Sequence, residues 1–296
     1  MNHPIVITAT PTLFHEDETL DLGAARDHLA WLRDKGVDAV FAAGTTGEFP
    51  ALADEERLAV LATTLEVFAP EQAYFHVGAA AARQAEQLTR AATEAGATRL
   101  AAVTPHYQPA PEAQVLEYYE RLVRAAGEAE VYAYLFTART TTVSAPSLLP
   151  RLAEIGVAGV KLSGESDESV AAYLEQSPAG FRVFSGNDIS FGWLATAGGS
   201  GIVSGVSSVY PEPFVALRDA VAAGDAEAAA GWQEEVARAV HAVRAGSLTH
   251  LKAGVSARGF RGGPVRSAVA GTTPADLRTI EELAAHFESS TAHATS

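Results

Sequence analysis

Val157-Ala158-Gly159-Val160-Lys161-Leu162-Ser163 is a short apolar run that carries one lysine near its end. A run of this length between two helical patterns is typical of a strand that is buried on both faces of a parallel sheet. An ammonium group is costly to desolvate there, so burial favours the neutral amine. A neutral amine attacks carbonyl carbons to form a Schiff base, which is our leading hypothesis for Lys161. The alternative is a lysine held in a structural ion pair.

The scarcity of lysine supports a chemical role for this one. The chain has 21 Lys and Arg residues, of which only Lys35, Lys161 and Lys252 are lysines. Arginine cannot supply a neutral amine, because it stays protonated. Lys35 ends a polar helical pattern, where a cation suits the helix dipole, and Lys252 falls in a C-terminal helical pattern. Lys161 alone occupies the pattern of a buried strand.

Short apolar runs alternate with helical patterns along most of the chain, which predicts eight βα units. Eight parallel units favour a closed (β/α)8 TIM barrel. The competing architecture is an open doubly wound sheet, but no Gly-x-Gly-x-x-Gly turn follows the first run. The predicted strands cover residues 5–10, 39–43, 73–78, 99–104, 130–136, 157–163, 182–186 and 201–206.

The chain continues as helix after the eighth unit. Helical patterns cover residues 225–245, 247–257 and 273–286, and no linker rich in Pro, Gly or Ser separates them from the barrel. We therefore predict a catalytic barrel over residues 1–223 and a C-terminal helical region over residues 224–296 that packs on it.

Composition excludes several classes of function. Hydrophobic residues make up 48% and charged residues 19% of the chain, which indicates a soluble globular protein. The net charge of −15 argues against nucleic acid or an anionic membrane as a partner. With no cysteine there is no disulfide, no thiolate catalysis and no Cys-ligated metal. Residues 1–5 show neither a basic flank nor a long apolar segment, so we expect no signal peptide and a cytoplasmic enzyme.

Polar residues collect where the predicted strands end, which is the catalytic face of a barrel. Gly44-Thr45-Thr46-Gly47-Glu48 offers backbone N–H groups and two hydroxyls to an anion, and a carboxylate suits it better than a diphosphate. Tyr134 could move protons to and from a Schiff base, or could be a core aromatic. Arg139 could bind a second carboxylate, or form a surface salt bridge. Tyr107 could be a lid, a relay member or an interface aromatic.

Together these residues resemble the dihydrodipicolinate synthase / N-acetylneuraminate lyase family of class I, Schiff-base pyruvate aldolases, over nearly the whole chain. Gly44-Thr45-Thr46-Gly47-Glu48 resembles the family's pyruvate-carboxylate loop. Tyr134 and Lys161 resemble its catalytic tyrosine and lysine in order and spacing. Thr104-Pro105-His106-Tyr107 is similar to its Thr-Pro-Tyr-Tyr segment, whose second tyrosine reaches into a neighbouring subunit's site.

The resemblance implies a role for each matching residue. Lys161 would condense with the ketone of pyruvate or of a 2-oxo acid. Thr45, Tyr134 and Tyr107 would form a proton relay, with Tyr134 as the immediate acid and base. The remaining matches concern substrate binding: Thr46 and Gly47 would hold the carboxylate, the Val203 carbonyl would face the ketoacid, and Arg139 would bind the second substrate. The same resemblance implies no metal or organic cofactor and a homotetramer built as a dimer of dimers.

The residues indicate two branches of the family. Arg139 and Thr140 match 4-hydroxy-tetrahydrodipicolinate synthase, which joins pyruvate to aspartate semialdehyde in lysine biosynthesis. Phe49-Pro50 is more similar to aldolases that act on 2-oxo-3-deoxy sugar acids and 4-hydroxy-2-oxo acids. Leu135-Phe136-Thr137 departs from both. We predict aldol cleavage or condensation of a 2-oxo acid, with the synthase as the alternative.

Two hypotheses from other classes stay open. A metal-dependent aldolase could use His76 and His106, which lie near the ends of the third and fourth predicted strands, although two histidines alone make a poor zinc site. A non-catalytic ketoacid-binding module is the other, because the departures after Tyr134 could mark lost turnover.

Overall fold

Eight parallel strands form a closed barrel in the computed structural model, which describes the backbone of residues 4–294 and the side chains of residues 4–289. Each strand pairs with its neighbours along the chain, and the first also pairs with the eighth, which closes the sheet. This confirms the TIM-barrel prediction, with each strand within about two residues of its predicted bounds. The strands are β1 Ile5–Ala9, β2 Ala39–Ala42, β3 Ala73–His76, β4 Arg99–Val103, β5 Glu130–Leu135, β6 Gly159–Leu162, β7 Arg182–Ser185 and β8 Gly201–Ser204.

Helices follow the strands and cover the outside of the barrel. One of them, a single turn directly after β5, is an addition to the one helix that each predicted βα unit contains. The helices are α1 Leu22–Asp34, α2 Asp54–Leu65, α3 Ala82–Glu94, α4 Glu112–Ala126, α5 Thr137–Thr140, α6 Leu148–Glu154, α7 Asp167–Glu175, α8 Phe191–Thr196, α9 Pro211–Ala223, α10 Ala226–Ala242, α11 Leu248–Ala257 and α12 Pro274–Ala294.

Local sequence sets where several of these helices begin and end. The Asp21 carboxylate caps α1 by accepting the Ala24 N–H at 3.0 Å, and Asp225 caps α10 by accepting the Ala228 N–H at 3.0 Å. Gly224, in a left-handed conformation, ends α9 immediately before that cap. The chain therefore turns sharply from the barrel's last helix into α10.

The barrel interior is filled mainly by inward-facing strand residues. The register pairs Tyr134 of β5 with Lys161 of β6, and Lys161 with Phe184 of β7. Paired residues on neighbouring strands point to the same face of a sheet, so these three side chains enter the same space. The interior core comprises Ile7, Ala9, Ala39, Phe41, Tyr74, Ala101, Val103, Tyr132, Tyr134, Phe184 and Val203.

The C-terminal helices share a hydrophobic core with the barrel. Val236 of α10, Leu251 of α11 and Ile280 of α12 belong to one buried cluster with Val6 of β1 and Ile202 of β8. The division at residue 224 stays a prediction, since this core runs across it. Among the described residues, no helix combines the length and the apolar character needed to cross a bilayer.

Candidate active site

Lys161 and Tyr134 meet inside the barrel, toward the carboxyl ends of the strands. The Lys161 Nζ lies 4.0 Å from the centre of the Tyr134 ring and 5.4 Å from the centre of the Phe41 ring. Phe41 is 3% exposed and Tyr134 only 1%, so the amine lies against apolar walls. Sequence reasoning predicted the lysine and the tyrosine, and the strand register brings them together.

The environment of Tyr134 suits it to proton transfer. Burial acts to raise the pKa of Tyr134, but the Lys161 ammonium and hydrogen bonds with Thr45, Ser163 and Lys161 outweigh it, so the pKa lies below its ordinary value. The Thr45 Oγ1 is 3.2 Å from the Tyr134 hydroxyl oxygen. A phenol that shares protons with an amine in this way can serve as a general acid and base.

The turn after β2 presents unused hydrogen-bond donors. In the described part of the chain nothing accepts a hydrogen bond from the N–H of Thr46 or Gly47, whereas the Gly47 carbonyl accepts the Thr12 hydroxyl at 2.7 Å. The turn is closed by Glu48 N–H donating to the Thr45 carbonyl at 3.1 Å. Adjacent free N–H groups and threonine hydroxyls are suited to a carboxylate.

A cavity of about 600 Å³ opens above this turn. Thr45, whose hydroxyl lies 3.2 Å from the Tyr134 hydroxyl oxygen, is one of its lining residues. Its walls mix polar and apolar groups and include residues from the C-terminal region, which sequence reasoning did not assign to the site. The lining residues are Thr45, Thr46, Glu48, Phe49, Pro50, Val103, His106, Arg139, Thr140, residues 244–248, Ser267, Val269 and Ala270.

Arg139 and Val203 differ in exposure, since Arg139 is exposed and Val203 is buried. Arg139 lies on the one-turn helix α5, lines the cavity and is exposed, with its guanidinium carbon 6.0 Å from the centre of the Phe136 ring. No carboxylate among the described residues pairs with it. Val203 is buried in β8 and belongs to the interior core. The predicted contact of its carbonyl with a ketoacid stays a prediction.

Tyr107 lies apart from the other predicted relay members. Its side chain is 85% exposed, and its backbone is left-handed with φ of 76°. No hydrogen bond joins it to Thr45 or Tyr134 among the described residues. Of the three predicted relay members, only Thr45 and Tyr134 are in contact within one chain, and a role for Tyr107 stays a prediction that requires a neighbouring chain.

His76 has a structural task that explains its place at the end of β3. Its Nε2 accepts a hydrogen bond from the Val103 N–H at 3.1 Å, which links the end of β3 to β4. The Nε2 lone pair is therefore already used and is not free to bind a metal ion. Burial, with the nearby Arg57 charge, lowers the pKa of His76 well below its ordinary value, so the ring is neutral. The described residues contain no group of three or more His, Asp or Glu side chains able to hold a metal ion.

Asp188 is a buried carboxyl within the electrostatic influence of Lys161, and the sequence analysis assigned it no role. It follows β7, is 9% exposed, and its Oδ1 has no hydrogen-bond partner among the described residues. Burial raises the pKa of Asp188 to about 7, against the opposing effects of Ser204 and Lys161. The signal was present in Ser185-Gly186-Asn187-Asp188 at a strand end, but burial could not be inferred from it.

The chain matches the model of the dihydrodipicolinate synthetase family over residues 3–286. It belongs to that family. This confirms the predicted family and its class of enzyme, a class I (Schiff-base) lyase. Among family members, the 4-hydroxy-tetrahydrodipicolinate synthase of Moorella thermoacetica is 33% identical over 279 residues, which cover 93% of this chain and 95% of that protein.

Solved structures share the fold at lower identity. YagE, a prophage protein of the dihydrodipicolinic acid synthase family from E. coli K12 solved with pyruvate, superposes with a TM-score of 0.88 at 23% identity, covering 96% of this chain and 98% of that one. A variant of the Sulfolobus solfataricus 2-keto-3-deoxygluconate aldolase gives a TM-score of 0.88 at 23% identity, covering 99% of both chains.

Proposed function

We propose that Lys161 forms a Schiff base with pyruvate or a 2-oxo acid, and that the enzyme cleaves or forms the adjacent carbon–carbon bond. The substrates would be 2-oxo-3-deoxy sugar acids or 4-hydroxy-2-oxo acids. One observation carries this proposal: the lysine and tyrosine lie together, and Thr45, which hydrogen-bonds to the tyrosine, lines a cavity beside a turn with two N–H groups that are free among the described residues. The lysine would react with the ketone, and the two N–H groups would bind the carboxylate, of the same small ketoacid.

Imine formation uses the tyrosine as acid and the turn as anchor. The free N–H groups of Thr46 and Gly47 hold the carboxylate, and the neutral Lys161 amine attacks the ketone carbon. The resulting carbinolamine loses water when Tyr134 gives a proton to the departing hydroxide. Because Thr45 hydrogen-bonds to the Tyr134 oxygen, it stabilises the phenolate that this step leaves behind.

Cleavage then uses the iminium as an electron sink. Tyr134 takes the proton of the hydroxyl on the fourth carbon, and the bond between the third and fourth carbons breaks. An aldehyde departs, and the bonding electrons form an enamine on Lys161. Tyr134 returns the proton to the third carbon, and water hydrolyses the iminium to release pyruvate and the free amine. Condensation is the reverse of this sequence.

The second candidate is 4-hydroxy-tetrahydrodipicolinate synthase. Arg139 favours it, because its exposed guanidinium, which has no acid partner among the described residues, lines the cavity and can bind a carboxylate on the second substrate. The name of the Moorella relative also supports this alternative. Phe49 beside the carboxylate turn favours the aldolase branch, so we rank the synthase second.

We further propose that the enzyme needs no metal or organic cofactor, acts in the cytoplasm, and works as a homotetramer of two dimers. Support for the assembly comes from the family resemblance and from Tyr107, an aromatic side chain that is 85% exposed in the single chain. Sedimentation velocity tests the assembly, and a monomer at working concentration would contradict it. Full activity after EDTA treatment is expected, and loss that zinc restores would favour the metal-dependent alternative.

A substrate panel tests the proposed reaction. We expect pyruvate to be released from 2-keto-3-deoxygluconate or 4-hydroxy-2-oxoglutarate, with little condensation of pyruvate and aspartate semialdehyde. The opposite pattern would favour the synthase. Borohydride trapping of pyruvate without turnover on any member of the panel would favour a non-catalytic binding module.

A further inference from the structure

A buried ion pair joins the carboxylate turn to the C-terminal region. The Lys252 Nζ lies 2.9 Å from the Glu48 Oε1, and their side chains are 2% and 0% exposed. The ammonium also donates to the Pro264 carbonyl at 2.5 Å and lies 4.2 Å from the centre of the Phe14 ring. Burial lowers the pKa of Lys252, and Glu48 opposes that shift. The sequence placed Lys252 in a helical pattern and indicated no partner for it.

Glu48 is placed to anchor the carboxylate turn to the rest of the protein. It directly follows Thr46 and Gly47, and its own backbone is left-handed with φ of 57°. An L residue adopts this conformation at a cost, which surrounding contacts must offset. Here the Glu48 Oε2 accepts the Ser267 N–H at 2.9 Å while the Oε1 meets Lys252. Both carboxylate oxygens therefore tie the turn to the C-terminal region.

Two glycines let the segment after α11 pack closely against this ion pair. A Cβ on Gly262 would lie 2.1 Å from the Lys252 carbonyl oxygen, and one on Gly263, where φ is 71°, would lie 2.0 Å from the Phe14 carbonyl oxygen. Only glycine permits such approaches. Arg266 then anchors the segment by donating to Glu56 at 2.7 Å. Pro264 and Ser267 are thereby held against the ion pair.

We propose that the Glu48–Lys252 pair is a positioning device, which fixes the Thr46 and Gly47 N–H groups against the cavity wall formed by the start of α11. This inference rests on the proposed function, since it concerns the turn that would bind the ketoacid carboxylate. Replacing a buried ion pair by apolar residues is often neutral or stabilising, so stability alone does not account for it. The pair is better explained by what it joins: through Glu48 it connects the carboxylate turn to the C-terminal residues that line the same cavity.

The double variant Glu48→Leu/Lys252→Met separates positioning from stability. It removes both charges at once, so no unpaired charge is left buried and Tm should stay near the wild-type value. The turn loses both of its carboxylate anchors, and a displaced N–H pair binds the ketoacid less well. We expect the pyruvate concentration that half-saturates borohydride trapping to rise on the order of tenfold or more. The trapping rate at saturation should stay within about threefold, because Lys161 and Tyr134 are intact.

A second buried pair provides the matched control. Glu212 pairs with Arg258, which is 1% exposed, and with Lys35 at 2.9 Å, away from the cavity. Glu212→Gln should lower Tm and leave half-saturation by pyruvate unchanged, whereas Glu48→Gln should alter both. Unchanged half-saturation in the Glu48→Leu/Lys252→Met variant, or an equal rise in Glu212→Gln, would overturn the positioning role alone. Absence of trapping in the wild-type chain would overturn the proposed function and this role with it.

Discussion

Replacing Tyr134 by phenylalanine should stop most of the chemistry and leave the fold intact. The change removes one hydroxyl from a side chain that is 1% exposed, while the ring keeps its contacts with Lys161 and Phe41. The lost hydrogen bonds are with Thr45, Ser163 and Lys161, all three of which are only half-buried. We expect the free energy of unfolding to fall by about 1 kcal/mol or less. Loss of the acid and base should lower kcat by roughly 10²–10⁴-fold.

Tyr132 provides a matched control two residues earlier on β5. Its ring also lies in the barrel interior, but its hydroxyl donates to the Glu130 Oε2 at 2.6 Å, on the opposite side of the barrel from the cavity. Because that bond is made to a carboxylate, Tyr132→Phe should cost more stability, about 1–2 kcal/mol. Its kcat should be unchanged.

Urea unfolding measures the stability of both variants, and steady-state cleavage assays measure their kcat. Tyr134→Phe should be the more stable and the less active of the two. A Tyr134→Phe enzyme with kcat within about threefold of wild type would refute the assignment of Tyr134 as the acid and base. Equal losses of kcat in both variants would show that packing in the barrel, and not the hydroxyl, is what matters.

Two further perturbations follow from the site. Arg139→Ala should raise KM for a second substrate that carries a carboxylate by about tenfold or more. The pyruvate concentration that half-saturates borohydride trapping should stay unchanged. A rise in that concentration instead would show that Arg139 binds the ketoacid and not the second substrate. Asp188, whose pKa burial raises from 3.8 to about 7, keeps its proton in the folded state below about pH 7. Its contribution to stability is thus fully present below about pH 4 and is lost as pH rises through 7, by at most about 4 kcal/mol. Asp188→Asn should remove that dependence in urea titrations from pH 4 to 8, and parallel curves for the two proteins would contradict it.

The fold was predictable because its signals are local and repeated. Eight apolar runs at regular spacing predict eight strands, and strand order in a parallel barrel follows chain order. The meeting of Tyr134 and Lys161 was also predictable, because consecutive strands pair and both residues lie near strand ends. The one-turn helix that carries Arg139 was not, since four residues give too little periodicity to detect.

The burial of charged groups could not be inferred from the sequence. Lys252 lies in a helical pattern that gives no indication of Glu48, its partner from the other end of the chain. Asp188 follows a strand in a polar stretch, where exposure is the usual outcome, yet neighbouring elements cover it. Tyr107 is 85% exposed in the single chain, and the role predicted for it requires a second chain. In each case long-range packing, and not local pattern, determines the environment.

The central claim is a covalent bond between Lys161 and a ketoacid. Peptide mass spectrometry after borohydride reduction in the presence of pyruvate tests it most directly. The account predicts one reduced pyruvate adduct, on the peptide that contains Lys161, and no adduct at Lys35 or Lys252 or in a Lys161→Arg variant. An adduct on another lysine, or none at saturating pyruvate, would contradict it.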